Sequence, residues 1–166
     1  RLRLADLAAS LGCSPYHLQR RFRSITGITP REYINSRRLA VLKTGLKEGQ
    51  NVTTALYNAG YGSSSRLYEH STEQLGMTPG TYGREGQGAE ITFTIVACPL
   101  GRLLVAATQR GICAVSLGDS DSLLAGELAK EYPKASIHRE HDPSSKLNQW
   151  VGGVLRLLNA EQTHTE

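Results

Sequence analysis

The sequence predicts an α+β protein in two parts: an all-α region of two helix-turn-helix units, then a small α+β subdomain with an antiparallel three-stranded meander and helices. Three observations predict it. The 166 residues carry a formal charge of +4, yet residues 1–84 hold 12 Lys/Arg against 5 Asp/Glu while residues 85–166 hold 7 against 10. Sliding the basic part along itself by 49 residues aligns seven identities: Leu7 with Leu56, Ser14 with Ser63, Leu18 with Leu67, Gly27 with Gly76, Thr29-Pro30 with Thr78-Pro79, and Tyr33 with Tyr82. Ile28 also falls on the similar Met77. From residue 90 onward the apolar period changes from helical to alternating. A run rich in Gly and polar residues, 83–89, lies at the change. Residues 1–84 are therefore read as a DNA-binding domain candidate, 85–89 as a linker and 90–166 as a second domain.

Each copy of the repeat reads as a helical pair. Leu4, Leu7, Ala8 and Leu11 share one face of a first helix, and Gly12 breaks it. Ser14-Pro15 supplies an N-cap and a proline at the first helical position. The next helix runs from Pro15 to Thr26, with Leu18, Phe22 and Ile25 expected inward, and Gly27 ends it. A long helix, Arg31 to about Lys47, follows with Ile34, Val41 and Leu42 on one face; it spans roughly 20–25 Å at the α-helical rise. In the second copy a helix of about Val52 to Ala59 leads through Gly60-Tyr-Gly62 to a cap at Ser63 and a helix to about Leu75.

With Leu18, Phe22 and Ile25 inward, the first unit's second helix presents Tyr16, Gln19, Arg20 and Arg23 outward. Gln pairs bidentately with adenine and Arg with guanine in the major groove, and further basic residues neutralise phosphate. A solvated face on an ordinary helical hairpin is the alternative; the repeat and the charge of the basic part favour the DNA reading. The second unit's exposed face carries Ser64, Ser65, Arg66, Tyr68 and Glu69, and it is expected to position more than it reads. Two such helices on a stiff rod suit successive major grooves, which recur about every 34 Å.

In the second part Ile91 to Ala97 alternates, Arg102 to Thr108 and Ile112 to Leu117 follow across Pro99-Leu-Gly101 and Gln109-Arg-Gly111, and the three form the meander. Asp119-Ser-Asp121 caps a helix that runs to about Glu131 and stops before Pro133. Leu147 to Asn159 reads as a final helix with Leu147, Trp150, Val151, Val154, Leu157 and Leu158 on one stripe.

The motifs Leu18-Gln-Arg-Arg-Phe22, Thr26-Gly-Ile-Thr-Pro-Arg-Glu-Tyr33, Ala59-Gly-Tyr61 and Leu75-Gly-Met-Thr-Pro79 resemble the AraC family of transcription activators. That resemblance implies two helix-turn-helix units on a connecting helix. It makes Tyr16, Gln19 and Arg20, then Ser64, Ser65, Arg66 and Tyr68, the groove-facing candidates. Glu69 and Ser71 depart from the basic and aromatic residues common there. Cys98-Pro-Leu-Gly101, Leu103-Leu-Val-Ala-Ala107 and Gly111-Ile-Cys-Ala-Val-Ser-Leu-Gly-Asp119 resemble the N-terminal, ribonuclease-like subdomain of O6-alkylguanine-DNA methyltransferases. The order of the two parts resembles the Ada-like family of bifunctional transcriptional activators and DNA alkylation repair proteins. The resemblance implies a sequence-specific regulator of the adaptive response to alkylation, bound to double-stranded promoter DNA; RNA polymerase is the further candidate partner, an acidic one for the basic face. Methyl transfer in that family uses a Pro-Cys-His-Arg segment, and an N-terminal zinc-cysteine module accepts methyl groups from phosphotriesters. Neither pattern occurs in these 166 residues. The chain opens on Arg1 without Met and is expected to be a piece of a longer protein, with the family's first helix before Arg1.

No catalytic residue, metal or cofactor is therefore expected here. Cys13, Cys98 and Cys113 form no Cys-x-x-Cys pair, and all three read as packing residues. His138-Arg-Glu-His-Asp142 reads as a polar surface loop, Trp150 as core and His17 as solvent-facing. The longest apolar stretch, Leu103 to Ala107, is far too short for a bilayer, and no signal segment opens the chain. A cytoplasmic, nucleoid-associated location is expected. Two readings compete with the regulator: a non-specific DNA-binding module that delivers a repair alkyltransferase, and a protein-interaction module whose basic face meets an acidic partner.

Overall fold

The computed structural model describes residues 3–61, 71–142 and 144–162, the last six of these as backbone. The helical part comprises α1 (Leu4–Ser10), α2 (Pro15–Thr26), α3 (Pro30–Lys47), α4 (Val52–Asn58), α5 (described over 71–75) and α6 (Pro79–Gly83). The sheet part follows with β1 (Glu90–Cys98), β2 (Gly101–Thr108), β3 (Gly111–Gly118), α7 (Asp121–Glu131), β4 (Ser136–Arg139) and α8 (Lys146–Gln162).

Local chemistry sets most helix starts. The side chains of Ser14, Thr29, Asn51, Thr78 and Ser120 each accept the backbone N–H three residues on, and proline opens α2, α3 and α6. Thr29 and Glu32 cap each other reciprocally. Gly27 and Gly76 sit at φ +77° and +64°, the left-handed turn that glycine adopts without a Cβ penalty.

The repeat is structural, but its register steps once. N-caps Arg3 and Asn51, helices α1 and α4, and the left-handed Gly12 and Gly60 match at an offset of 48, whereas Gly27 and Gly76 and the caps Thr29 and Thr78 match at 49. The extra residue falls between Gly60 and Gly76. Leu7 thus corresponds in space to Ala55, and its identity with Leu56 is coincidental.

The expected meander is present and carries a fourth strand. The sheet order is β3-β2-β1-β4, with β4 parallel to β1 and Ile91 paired with Ile137. Four residues with one half-buried apolar side chain leave no alternating pattern to read, so the sequence predicts no strand there and puts His138 and Arg139 in a loop. On one face of the sheet Ile91, Ile95, Leu104 and Ala106 pack with Leu124, Leu128 and Tyr132. On the other, Leu103, Val105 and Ala107 pack with Leu147 and Val151 of α8. Cys113 is the extra residue of a bulge opposite Ala106 and Ala107.

The first of these cores does not stop at the sheet. Leu42, Leu46, Ala55, Ala59, Tyr61, Leu75, Met77 and Tyr82 of the helical part belong to the same cluster. Residues 84–89 between the parts form consecutive hydrogen-bonded turns, including Gly86 N–H to Thr81 C=O and Ala89 N–H to Gly86 C=O.

The first unit is packed more lightly. Ala8 is its one fully buried side chain in α1, and α2 has none. Ile25 is corrected from core to surface: it is 72% exposed. It is in phase with Leu18 and Phe22, but it lies in the last turn of α2, where no described side chain covers it. Leu7, Leu11, Ile34 and Val41 are likewise exposed, although each lies in phase with a buried neighbour. Phe22 is half-buried and meets Tyr33 of α3 edge to face, ring centroids 5.9 Å apart. Phe22→Ala is expected to cost about 1–2 kcal/mol, below the full-core range because half the ring already faces water. A melting midpoint unchanged from wild type would show that this ring does not hold α2 to α3.

Candidate nucleic-acid interface

α2 is placed by its two ends. Ser14 Oγ accepts the His17 N–H at 3.1 Å, and at the far end the Gly27 N–H reaches the Arg23 carbonyl at 2.9 Å. Between them Tyr16, Gln19, Arg20 and Arg23 recur at i, i+3, i+4 and i+7 and form one exposed stripe, with Tyr16 75% exposed. Leu18 and Phe22 line the opposite, half-buried side. His17 is exposed beside the stripe.

Among the described residues no carboxylate lies within ion-pair distance of Arg20, Arg21 or Arg23. No ion pair among the described residues commits those charges. Arg23 has a second effect: its charge contributes to holding the Glu32 carboxyl below the ordinary range, after the larger effect of the Thr29 backbone and hydroxyl hydrogen bonds. Glu32 Oε2 accepts the Thr29 N–H at 2.7 Å and the Thr29 hydroxyl at 2.8 Å. The start of α3, and so its angle to α2, is fixed by this box.

α3 has 18 residues and is about 27 Å long. Arg31 and Arg37 stand exposed on it and Arg38 is half-buried. Lys43 and Lys47 are different. Their ammonium groups lie 3.7 and 3.6 Å from Glu131 Oε1 of α7, so two of the positive charges counted in the sequence already face an internal carboxylate. Sequence reasoning missed this pairing. The i, i+4 spacing put both lysines on one face, but nothing in the chain order pointed to a glutamate more than 80 residues on.

Ser64, Ser65, Arg66 and Tyr68, with Glu69, lie outside the described residues. Around them, Tyr61 is buried and its hydroxyl donates to Gln74 Oε1 at 3.0 Å, and burial raises its pKa. Ser71 is fully buried, so it belongs to the packing of the second unit and not to its outer face.

The cysteines differ from one another. Cys113 is buried and desolvation pushes its thiol up to about 12, so it is protonated near neutral pH. Cys13 and Cys98 are partly buried, and Cys98 packs against the second core, between the sheet and α8, as a packing residue does. Of the His138–Asp142 run, His138 and Arg139 belong to β4, and Arg139 Nη2 bonds Asp121 Oδ2 at 3.0 Å. Glu140 accepts the N–H groups of His141 and Asp142 at 2.8 and 2.9 Å, closing a tight turn. No group of three or more His, Cys, Asp or Glu among the described residues is arranged to hold a metal ion. Trp150 of α8 is half-buried against the second core, with Lys146 Nζ 5.0 Å from its ring centroid. No helix among the described residues is long and apolar enough to cross a membrane.

Comparison with known proteins divides the chain at the same place as the change of architecture. Residues 7–85 match the helix-turn-helix domain family, and residues 91–158 match the 6-O-methylguanine DNA methyltransferase, ribonuclease-like domain. The chain is 37% identical over 161 residues to the bifunctional transcriptional activator/DNA repair enzyme Ada of Escherichia coli, covering 96% of this chain and 44% of that one. It is 38% identical over 157 residues to the regulatory protein ada of Salmonella typhimurium, covering 94% and 43%. A third similarity, 35% over 80 residues, covers 48% of this chain and 26% of a Streptomyces lividans protein named as an AraC-like transcription regulator. The chain thus spans less than half the length of the curated relatives it matches. No solved structure matches it.

Proposed function

The chain is an Ada-like polypeptide that joins a helix-turn-helix domain to the ribonuclease-like domain of a methylguanine methyltransferase, and from that premise we propose that it is a sequence-specific DNA-binding regulator of the response to alkylation. The observation that carries the reading is the stripe Tyr16, Gln19, Arg20 and Arg23: exposed, aligned along one helix, and unpaired by any described carboxylate. Gln19 and Arg20 are assigned to base edges, Tyr16 and Arg23 to the backbone beside them. Ser64, Ser65, Arg66 and Tyr68 are assigned to the second groove. Residues 1–84 are assigned to DNA reading, 85–89 to the junction and 90–166 to the methyltransferase subdomain. Promoter DNA is the partner, RNA polymerase the further contact of an activator, and the nucleoid of the cytoplasm the place of action. The acceptor chemistry of an alkyltransferase is not assigned to any of the three cysteines.

Selection of duplexes from a randomised pool, followed by titration across salt, tests the reading. The enriched duplex is expected to bind roughly 10³-fold or more tightly than random duplex. Log K for both should fall with log salt in proportion to the phosphates neutralised. A preference of about tenfold or less would make the basic part a non-specific delivery module for the repair domain. Absence of a salt slope would exclude DNA as the partner.

A further inference from the structure

In most two-part chains the connection is loose and each part keeps its own core. Here the second helix-turn-helix unit and the sheet share one core, and three polar contacts between the two parts converge on a single carboxylate. Glu131, the last residue of α7, accepts the Tyr82 hydroxyl of α6 at 2.9 Å and faces Lys43 and Lys47 of α3 at 3.7 and 3.6 Å. Both ammonium groups also lie over the Tyr82 ring, 5.3 and 5.7 Å from its centroid. That ring meets Tyr132 edge to face at 5.9 Å, and the Tyr132 hydroxyl donates to the Cys113 carbonyl of β3 at 3.1 Å. One side chain of the sheet part thus engages two helices of the DNA-binding part.

Two further contacts lock the same junction. The Thr108 hydroxyl donates to the Gly76 carbonyl at the end of α5, and the Lys134 N–H donates to the Glu85 carbonyl at 3.1 Å. α3 is the rod that joins the two units, and α5, described over 71–75, belongs to the second unit. Whatever holds α3, α5 and α6 against the sheet therefore also holds the described elements of the second unit relative to the rod. Among the described residues the first unit has no comparable contact with the sheet, and α2 meets the rest of the chain through α3.

We propose that Glu131 is a positioning residue for DNA recognition: through Tyr82, Lys43 and Lys47 it fixes the rod and the second unit to the sheet, which acts as the scaffold of the reading surface. It touches no DNA. The proposal rests on the regulator reading above.

The test uses the whole chain, with the duplex that it enriches from a randomised pool and random duplex as probes. Glu131→Ala and the isosteric Glu131→Gln are compared with wild type well below their melting midpoints, with folding checked by near-ultraviolet circular dichroism. Glu131→Ala is expected to reduce the preference for the enriched duplex roughly tenfold, within the 5–150-fold span usual for coupling between distinct sites. Random-duplex affinity should not fall. Glu131→Gln keeps an acceptor for Tyr82 but loses the charge, and should lie between; it decides the matter if the alanine variant does not fold. Lowered melting midpoints with an unchanged preference would make Glu131 structural only and overturn the proposal. If wild type enriches no duplex, the regulator reading falls first and this inference with it.

Discussion

Gly76→Ala is expected to destabilise the chain by about 3–4 kcal/mol, while Gly27→Ala, the equivalent change in the other repeat, costs about 1 kcal/mol. Both glycines end a helix in the left-handed region, φ +64° and +77°, so both substitutions carry the same intrinsic strain. Their surroundings differ. A Cβ on Gly27 would meet nothing within 4 Å. A Cβ on Gly76 would stand 2.6 Å from the Ile112 carbonyl oxygen and 2.7 Å from that of Gly111, both backbone atoms at the start of β3. Backbone cannot rotate aside as a side-chain tip can, so the β2–β3 hairpin must shift and the Thr108 contact to Gly76 with it. For a chain of this length the Gly76 change should lower the melting midpoint by roughly 6–15 °C against about 2–4 °C for Gly27. Equal midpoints for the two variants would show that the hairpin is not seated on the second unit.

That contrast also marks what was legible in the sequence. Gly27 and Gly76, Thr29 and Thr78, and Pro30 and Pro79 were readable as helix punctuation because their chemistry is local: a cap needs a hydroxyl three residues from an N–H, and a left-handed turn needs glycine. The helices α2, α3 and α7 follow for the same reason. What Gly76 does beyond punctuation is invisible in a chain order, because the carbonyls it admits belong to residues more than thirty positions away. β4 escaped for a related reason, since its four residues become a strand only by pairing with β1. Ile25 and Val41 show the converse limit. Helical phase places them with buried residues, but phase says nothing of whether a partner lies opposite, and here both face outward.

The candidate site divides in the same way. The stripe on α2 was legible because a helix with two half-buried residues, Leu18 and Phe22, has only one direction left for Tyr16, Gln19, Arg20 and Arg23. The charge count was less informative than it looked. It scored Lys43 and Lys47 with the arginines, whereas Glu131 engages both. A net charge tells which part faces a polyanion, not which of its cations do. The lysines' commitment depends on the shared core bringing Glu131, at the end of α7, beside α3, a proximity that no periodicity encodes.

Among the arginines, Arg20 is the one whose loss should be felt in sequence preference. It sits in the middle of the stripe, one turn from Tyr16 and adjacent to Gln19, with no described carboxylate near it. Arg23, one turn further on, lies near Glu32 and has an electrostatic partner at home. Arg20→Ala is therefore expected to weaken binding to the enriched duplex by about 1–3 kcal/mol, roughly 5- to 150-fold, and to relax preference at one position of the site. Arg23→Ala should weaken enriched and random duplex alike and reduce the salt slope by about 1, as a phosphate contact does. Neither side chain is buried, so neither change should alter stability by more than the roughly 0.5 kcal/mol usual for surface positions. Reselecting the randomised pool with the Arg20→Ala chain provides the measurement. A consensus identical to that of wild type at every position would remove Arg20 from base reading and leave the stripe as a backbone track.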